Sequence, residues 1–425
     1  MKKNRLTPLE KSWILYDVGN SAFVLLCSTL LPIYFNALAS AGGLSEDLYL
    51  SYWGYAGSVA TALVAIIGPI CGAIADQKGF KKPIFLFCMA LGALGCAALG
   101  IAWSWLVFLV IFVIAKVGFS SSLVFYDSML GEITPEEKSD KISSMGYAYG
   151  YIGSVIPFVI CLALVLGYEM VGITQTTALI IAFLITAAWW IACTIPLVKN
   201  YRQTAYVARR AHPVRDAFGE LGKTLKHAKE NPNILFYLLA FFFFINGVYT
   251  IIDMATAYGT ALGLDTTGLL LALLVTQIVA FPFAILFGRL ASKIAAGKLM
   301  KICIVSYSVI ILFAVFLVAQ WQFWLLAVLV GMFQGGIQAL SRSYLAKIIP
   351  AERGAAYFGL MDICGKGASF LGMLMVSSVN QILTGMTLTV FGITLQNANL
   401  AVSSLLILMV VGFVLFCKAD KLNQK

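Results

Sequence analysis

The chain has 425 residues, of which 61% are hydrophobic and 11% are charged, and its formal net charge is +10. Because soluble domains are about 45–50% apolar and about 25% charged, this composition excludes a soluble enzyme, a secreted module and a disordered chain. It predicts an integral membrane protein. The positive charge by itself is compatible with nucleic acid, an acidic substrate or an anionic membrane surface as the partner.

Twelve apolar runs are long enough to cross the hydrocarbon core as helices, for which about 20 residues suffice. They are too long and too continuous to be β-barrel strands. The first run is too long for a signal peptide, so we expect it to be retained. In chain order the runs lie near 12–39, 49–75, 83–102, 105–133, 142–166, 177–198, 233–258, 266–291, 299–319, 323–349, 354–379 and 396–417.

The basic residues alternate between the two sides of the predicted membrane. Of the 29 Lys and Arg residues, all except Lys116, Arg342 and Lys366 lie at the termini or in every second loop, and the remaining loops hold none. Since Lys and Arg concentrate on the cytoplasmic side, this pattern predicts cytoplasmic termini, an even number of spans and a multi-pass protein of the inner cell membrane. A nucleic-acid partner is therefore not expected.

The residue types that catalysis or metal binding requires are scattered along the chain. The nine cysteines lie in or beside apolar runs without a CxxC pair, and both histidines, His212 and His227, lie in the polar loop near 199–232. No nucleophile–base set and no glycine-rich phosphate loop stands out. We therefore expect no enzyme activity, no metal centre and no cofactor.

The central loop separates two halves that repeat each other. The predicted domains are an N-terminal six-helix bundle (1–198), a cytoplasmic linker (199–232) and a C-terminal six-helix bundle (233–425). Within the linker, residues 214–230 have the spacing of a short amphipathic surface helix. Gly72 and Gly288 are 216 positions apart, and Pro135 and Pro350 are 215 apart. Internal repeats of this kind are typical of secondary transporters, whose substrate sites lie near the membrane midplane.

Residues 72–82 read Gly-Ala-Ile-Ala-Asp-Gln-Lys-Gly-Phe-Lys-Lys. This segment resembles the loop signature of the major facilitator superfamily and departs from it at Gln77 and Phe80, where basic residues are usual. Other segments resemble the branch of the autophagy-linked vacuolar amino-acid effluxer; they lie at 16–23, 32–35, 124–127, 341–343, 350–353 and 357–359. The resemblance implies an all-α integral membrane fold of twelve transmembrane helices in two pseudo-symmetric six-helix bundles, and secondary active transport by alternating access.

Polar residues recur at helical spacing in the first, fourth, seventh and tenth runs. In the resembled superfamily these four spans line the central cavity. Because a charge inside a span is costly, such residues usually face a partner or a wet cavity. Together with tyrosines that add aromatic walls, the predicted substrate and cavity residues are Asp17, Asn20, Lys116, Tyr126, Asp127, Tyr147, Asn246, Asp253, Gln338, Arg342 and Lys366.

Two groups of loop and span charges are predicted to gate the transporter. The resemblance implies that Asp76, in the loop that also carries Lys81 and Lys82, docks near the N-terminus of the eleventh span, where a helix dipole favours an anion. Asp127 and Arg342 each precede a repeat proline by eight residues. They are expected to pair across the pseudo-twofold axis as an inner gate, unless each finds a partner within its own half.

A third candidate pair lies within the eleventh run. Asp362 and Lys366 are four residues apart, so their side chains can meet on one helical face. They form either a structural ion pair or a pair that breaks during transport.

The charged residues of the spans predict a small solute that itself carries charge. Lys116 and Lys366 suit a carboxylate or a phosphate, and Asp17 or Asp253 suits an amine. Four acids against three bases leave one acid without a basic partner, so proton coupling through Asp17 or Asp253 is a hypothesis. We expect a monomer in the lipid bilayer that exports an amino acid or a related zwitterionic or anionic metabolite. The alternatives are a drug or amphiphile exporter and a non-transporting receptor or assembly factor on the same fold.

Overall fold

The computed structural model describes residues 5–43, 46–208, 213–383, 386–390 and 392–424. Within these ranges the chain is helical apart from its loops and one small hairpin. Ten of the described helices are long and apolar enough to cross a membrane by length and composition. The all-α membrane fold is thereby confirmed, and the count of twelve spans stays a prediction.

The first six apolar runs form helices at the expected places, with local breaks. The first run is divided at Thr29, whose φ of −126° and ψ of −72° leave the helical region, and the fourth is divided at Met129. Thr7 and Glu10 form a capping box that sets the first helix start. The helices are α1 (Pro8–Ser28), α2 (Leu30–Ala41), α3 (Glu46–Ala75), α4 (Lys81–Ala98), α5 (Trp105–Ser128), α6 (Leu130–Ile133), α7 (Glu136–Leu166) and α8 (Gln175–Asn200).

The central linker contains α9 (Pro213–Glu230), the helix that the amphipathic spacing predicts. The second half begins with α10 (Pro232–Ala261), and a short 3₁₀ turn precedes α14. The segment 380–395, predicted as a loop, contains two antiparallel strands, β1 (Leu388–Val390) and β2 (Ile393–Leu395), with Leu388 opposite Leu395. The remaining helices are α11 (Thr266–Leu290), α12 (Ala296–Val315), α13 (Gln320–Ile348), α14 (Gly354–Ile382), α15 (Asn397–Ser403) and α16 (Leu405–Asn423).

The chain forms two compact units. Unit 1 consists of Met1–Pro135, Tyr149–Leu221 and Ala351–Gly359. Aromatic side chains pack in its core, where Trp13 stacks on Tyr126 with ring centroids 4.4 Å apart. The indole nitrogen of Trp13 also donates to the Tyr126 carbonyl at 3.0 Å. Unit 1 thus contains the first turns of α14, which come from the other half of the sequence.

Unit 2 consists of Glu136–Ala148, Gly222–Pro350 and Leu360–Lys425. Tyr237 stacks on Tyr344 at 5.0 Å and donates its hydroxyl to the Ser341 carbonyl at 2.6 Å, which ties α10 to α13. This unit contains the first turns of α7. The predicted division into 1–198, 199–232 and 233–425 remains a prediction.

Candidate functional site

The carboxylate of Asp76 lies at the N-terminus of α14, directly after α3 ends. Its Oδ1 accepts the backbone N–H of Ala355 and its Oδ2 accepts that of Ala356, each at 3.0 Å. The first four N–H groups of a helix have no partner inside the helix, and the helix dipole favours an anion beside them. The structure therefore places Asp76 where the resemblance to the superfamily implied, within unit 1.

The close approach of α3 to α14 depends on Gly72, one turn before Asp76. A Cβ at position 72 would lie 2.6 Å from the carbonyl oxygen of Ala355. Its repeat counterpart, Gly288, approaches the start of α7 within unit 2, where a Cβ would lie 2.8 Å from Cβ of Ser144. Each of the two repeat glycines thus lies against the first turns of a long helix.

Lys81 joins Asp76 to a second buried carboxylate. Its Nζ lies 3.5 Å from Oδ1 of Asp76 and 2.7 Å from Oε1 of Glu132, and its side chain has no exposed surface. Burial raises the pKa of Asp76 from 3.8 to about 6, although Lys81 and the two N–H donors of α14 lower it. Loss of water therefore outweighs the favourable partners of this carboxylate.

Glu132 holds the start of the central loop, which we call the central strap (residues 201–208). Its Oε2 accepts the N–H groups of Thr204 at 2.7 Å and of Ala205 at 3.1 Å. Its Oε1 accepts the hydroxyl of Tyr201 at 3.1 Å. Burial and this neighbouring carboxylate raise the pKa of Tyr201 above its ordinary value. Glu132 therefore connects Lys81 to the segment that follows α8.

The central strap also pairs with the loop after α3 through backbone groups. The N–H of Val207 donates to the Asp76 carbonyl at 2.8 Å, and the N–H of Lys78 donates to the Val207 carbonyl at 3.1 Å. Lys82, predicted to gate, donates to the Tyr201 carbonyl at 3.2 Å. Lys82 thus lies against the strap, whereas Lys81 lies inside the network of Asp76 and Glu132.

The predicted cavity residues of α1 and α5 differ in burial and in the partners that they contact within unit 1. Asp17 and Asn20 are buried, and the Asn20 amide donates to Oδ1 of Asp17 at 3.3 Å. Lys116 is half-buried midway along α5, with its ammonium 5.6 Å from the centroid of the Phe119 ring. Tyr126 has no exposed surface. Its hydroxyl donates to the Trp13 carbonyl at 3.1 Å.

Tyr126 is therefore a packing residue of the α1–α5 interface, and the structure corrects its expected role as a cavity wall. The physical reason is that a ring stacked on Trp13, with its hydroxyl bound to a backbone carbonyl, has no surface left for a solute.

Arg342 and Tyr147 come together in unit 2. The Nε of Arg342 donates to Oγ of Ser143 and its Nη2 donates to the Ser143 carbonyl, both at 2.9 Å. The guanidinium lies 4.4 Å from the centroid of the Tyr147 ring, a distance typical of cation–π contact. Arg342 thus holds the first turns of α7 against α13.

The same two helices, α7 and α13, are also joined by an ion pair that was not predicted from the sequence. Lys347 donates to Oδ2 of Asp140 at 2.5 Å, and the hydroxyl of Ser343 donates to Oδ1 at 2.6 Å. Glu132 and Asp140 were both missed. The sequence held a signal for Glu132. It precedes the repeat proline Pro135 by three residues, as Lys347 precedes Pro350, so the two charged residues occupy matching repeat positions.

The predicted residues of α10 form a polar row in unit 2. Asn246 is fully buried, and its Oδ1 accepts the hydroxyl of Thr250 at 3.3 Å. Asp253 is exposed and accepts the hydroxyl of Ser369, on α14, at 2.8 Å. Gln338 is half-buried on α13. Asn246 and Asp253 are seven residues apart on α10 and thus lie on one face of the helix.

Two predicted pairings stay predictions. Asp127 is half-buried near the end of α5, and its pairing with Arg342 is untested. Asp362 is half-buried on α14, whereas the side chain of Lys366 lies outside the described residues. Within the described ranges, no group of three or more His, Cys, Asp or Glu residues could hold a metal ion.

Comparison with known proteins places the chain in a family. The family model for "Vacuole effluxer Atg22 like" matches residues 46–424. YxiO of Bacillus subtilis (strain 168), described as an uncharacterised MFS-type transporter, is 40% identical over 416 residues, which cover 97% of this chain and 94% of YxiO. Autophagy-related protein 22-1 of Aspergillus niger is 26% identical over 273 residues. That match covers 57% of this chain and 42% of the fungal protein, less than half its length.

Solved structures show the same fold. The human organic anion transporter MFSD10 matches with a TM-score of 0.70 at 13% identity, covering 96% of this chain and 98% of that one. A bacterial homologue of the iron transporter ferroportin matches with a TM-score of 0.71 at 13% identity, covering 97% and 98%. These likenesses concern the fold alone. The chain belongs to the Atg22-like vacuole effluxer family, and it is a multi-pass secondary transporter of the major facilitator superfamily.

Proposed function

We propose that this transporter moves a small solute bearing a carboxylate, an amino acid or a related metabolite, by alternating access of its two sequence halves. We further propose that it is a monomeric exporter of the inner membrane with both termini in the cytoplasm. The family description as an effluxer supports export. The restriction of Lys and Arg to alternate loops supports the orientation.

The observation that carries the choice of solute is the environment of Lys116. Its ammonium lies 5.6 Å from the centroid of the Phe119 ring and forms no ion pair with a carboxylate among the described residues. A lysine midway along a spanning helix is costly unless a counter-charge or water meets it. Lys81 lies between two carboxylates. The carboxylate of a solute would give the Lys116 ammonium a comparable partner.

The amide of Asn246, in unit 2, separately favours a solute with hydrogen-bonding capacity. The Nδ2 of Asn246 is buried and has no hydrogen-bond partner among the described residues. An amide donor left unpaired in a spanning helix is unfavourable, and a ligand acceptor would satisfy it. This donor favours a polar metabolite over a drug-like amphiphile.

Flux into proteoliposomes tests the proposal. Purified protein is assayed for counterflow of radiolabelled amino acids and organic acids, with Lys116→Met, Lys116→Arg and, as a matched control near the start of α7, Lys138→Met. We expect Lys116→Met to raise the KM of the transported carboxylate at least about tenfold, the loss of one charge-assisted contact. Lys116→Arg and Lys138→Met should retain near-normal KM. Flux that is unaffected by Lys116→Met, or restricted to uncharged amphiphiles, contradicts the proposal.

Proton coupling is the finer part of the proposal, with Asp17 or Asp253 as the carrier. An imposed pH gradient should then drive solute accumulation, and either Asp17→Asn or Asp253→Asn should abolish that drive while leaving counterflow intact. Accumulation that does not respond to the gradient in the wild type removes the coupling and leaves the solute class standing.

A further inference from the structure

Unit 2 contains a cavity of about 240 Å³ between α10, α14 and the short helix α15. Among the described residues of its lining, none carries a charge. Its lining is apolar except for Thr250, Tyr258, Ser377 and Asn380. It lies toward the end of α10 that is remote from the central loop.

The polar groups in the wall of the cavity are largely engaged elsewhere. The hydroxyl of Tyr258 donates to the Ala314 carbonyl at 2.6 Å and accepts the amide of Asn399 at 2.8 Å. The same amide nitrogen donates to the Leu317 carbonyl at 2.8 Å. Thr250 donates its hydroxyl to Asn246. These bonds hold the wall in place.

Small side chains create the space. Ala255 on α10, Ala314 on α12 and Ala401 on α15 line the cavity where larger residues would fill it. The cavity is partly open to its surroundings, so a small molecule can enter it without unfolding of the unit. An enclosed apolar cavity of about 150 Å³ accommodates benzene. This cavity is larger and accommodates a fused two-ring molecule.

We propose that the cavity binds an uncharged, largely apolar small molecule about the size of indole. The exposed side chain of Ser377 and the half-buried Met254 lie at its border. Met254 is an adaptable side chain that can admit a ligand. A charged molecule is unfavourable there, because no described side chain of the lining would compensate its charge. The cavity adjoins the polar row of α10 through Thr250, whereas its ligand differs from the proposed solute in carrying no charge.

Fluorine NMR with 5-fluoroindole as the probe tests the site on full-length protein in phospholipid nanodiscs. Partitioning into empty nanodiscs supplies the baseline. We expect one saturable site for 5-fluoroindole and no saturable binding of 5-fluoroindole-2-carboxylate. Ala255→Phe fills the cavity and should weaken the probe at least tenfold. Ala188→Phe, which adds the same ring at an exposed position of α8, should leave affinity unchanged.

A second variant keeps the test decisive if Ala255→Phe folds poorly. Leu326→Ala enlarges the cavity, and it should tighten binding of the larger probe 2-fluoronaphthalene relative to 5-fluoroindole. Lys116→Met should leave both affinities at the wild-type value, which shows that probe binding does not require the charge proposed to bind the solute carboxylate. Non-saturable uptake that is equal in all variants overturns the proposal, and so does equal binding of the neutral and carboxylate probes.

Discussion

The Oδ1 of Asp76 lies 3.0 Å from the backbone nitrogen of Ala355, a residue 279 positions further along the chain. One carboxylate thereby ties the end of α3 to the start of α14. Lys81 and Glu132 extend the connection to the central strap through contacts of 3.5 and 2.7 Å. Both acids and the lysine are buried, so changes of charge in this network should have large effects on stability.

The stability contributed by Asp76 should depend on pH. Its pKa is raised from 3.8 to about 6 in the folded protein, so the folded state holds the proton more tightly than the unfolded chain. The contribution is then complete below about pH 4 and is lost as the pH rises through about 6. Relative to Asp76→Asn, the wild type should lose about 3 kcal/mol of unfolding free energy over this range. Unfolding in detergent between pH 4 and 7 measures it, and parallel pH profiles for the two proteins would contradict it.

Removing the charge of Glu132 should both destabilise unit 1 and release the central strap. Glu132→Gln leaves the buried ammonium of Lys81 with the more distant Asp76, 3.5 Å away, and breaking a buried pair costs about 3–5 kcal/mol. Arg202 is exposed within the strap, so trypsin should cleave there faster in the variant. Glu136→Gln, at an exposed position of α7, is the control. Equal cleavage rates in the two variants would refute the role of Glu132.

Two glycines of α3 should respond in opposite ways to the same substitution. Gly72→Ala places a Cβ 2.6 Å from a backbone oxygen of α14 and should cost about 1–3 kcal/mol. Gly68→Ala meets nothing within 4 Å and should be neutral or stabilise by up to about 1 kcal/mol through helix propensity. Thermal unfolding compares the two. Similar shifts for both would mean that α3 and α14 do not approach closely at Gly72.

The ion pair of Asp140 and Lys347 should be more sensitive to single than to double substitution. The Asp140 side chain is 9% exposed and that of Lys347 is 20% exposed. Asp140→Leu strands the ammonium and should cost about 3 kcal/mol. Asp140→Leu combined with Lys347→Met replaces both charges by apolar groups and should recover most of that loss. A double-mutant cycle on unfolding free energies measures the coupling, and additive losses would contradict it.

The site could be predicted in part, because some of its residues lie in recognisable sequence motifs or at repeat positions. Asp76 lies in a recognisable loop, and Arg342 occupies a repeat position in a run of apolar residues. Glu132 was harder to predict, because two of its hydrogen-bond donors are the backbone N–H groups of Thr204 and Ala205. Backbone donors are present at every non-proline residue, so no residue type marks the ones that a carboxylate will meet.

The sequence by itself determined which segments are apolar enough to span the membrane, where the charges divide its two sides, and that the halves repeat. These properties follow from composition and spacing along the chain, and the bilayer acts on each segment separately. Only the tertiary structure decided that Tyr126 packs against Trp13, that Lys81 lies between two carboxylates while Lys116 meets an aromatic ring, and that alanines on three helices leave a cavity. Each of these depends on distances between residues far apart in the chain, which packing sets and local sequence does not encode.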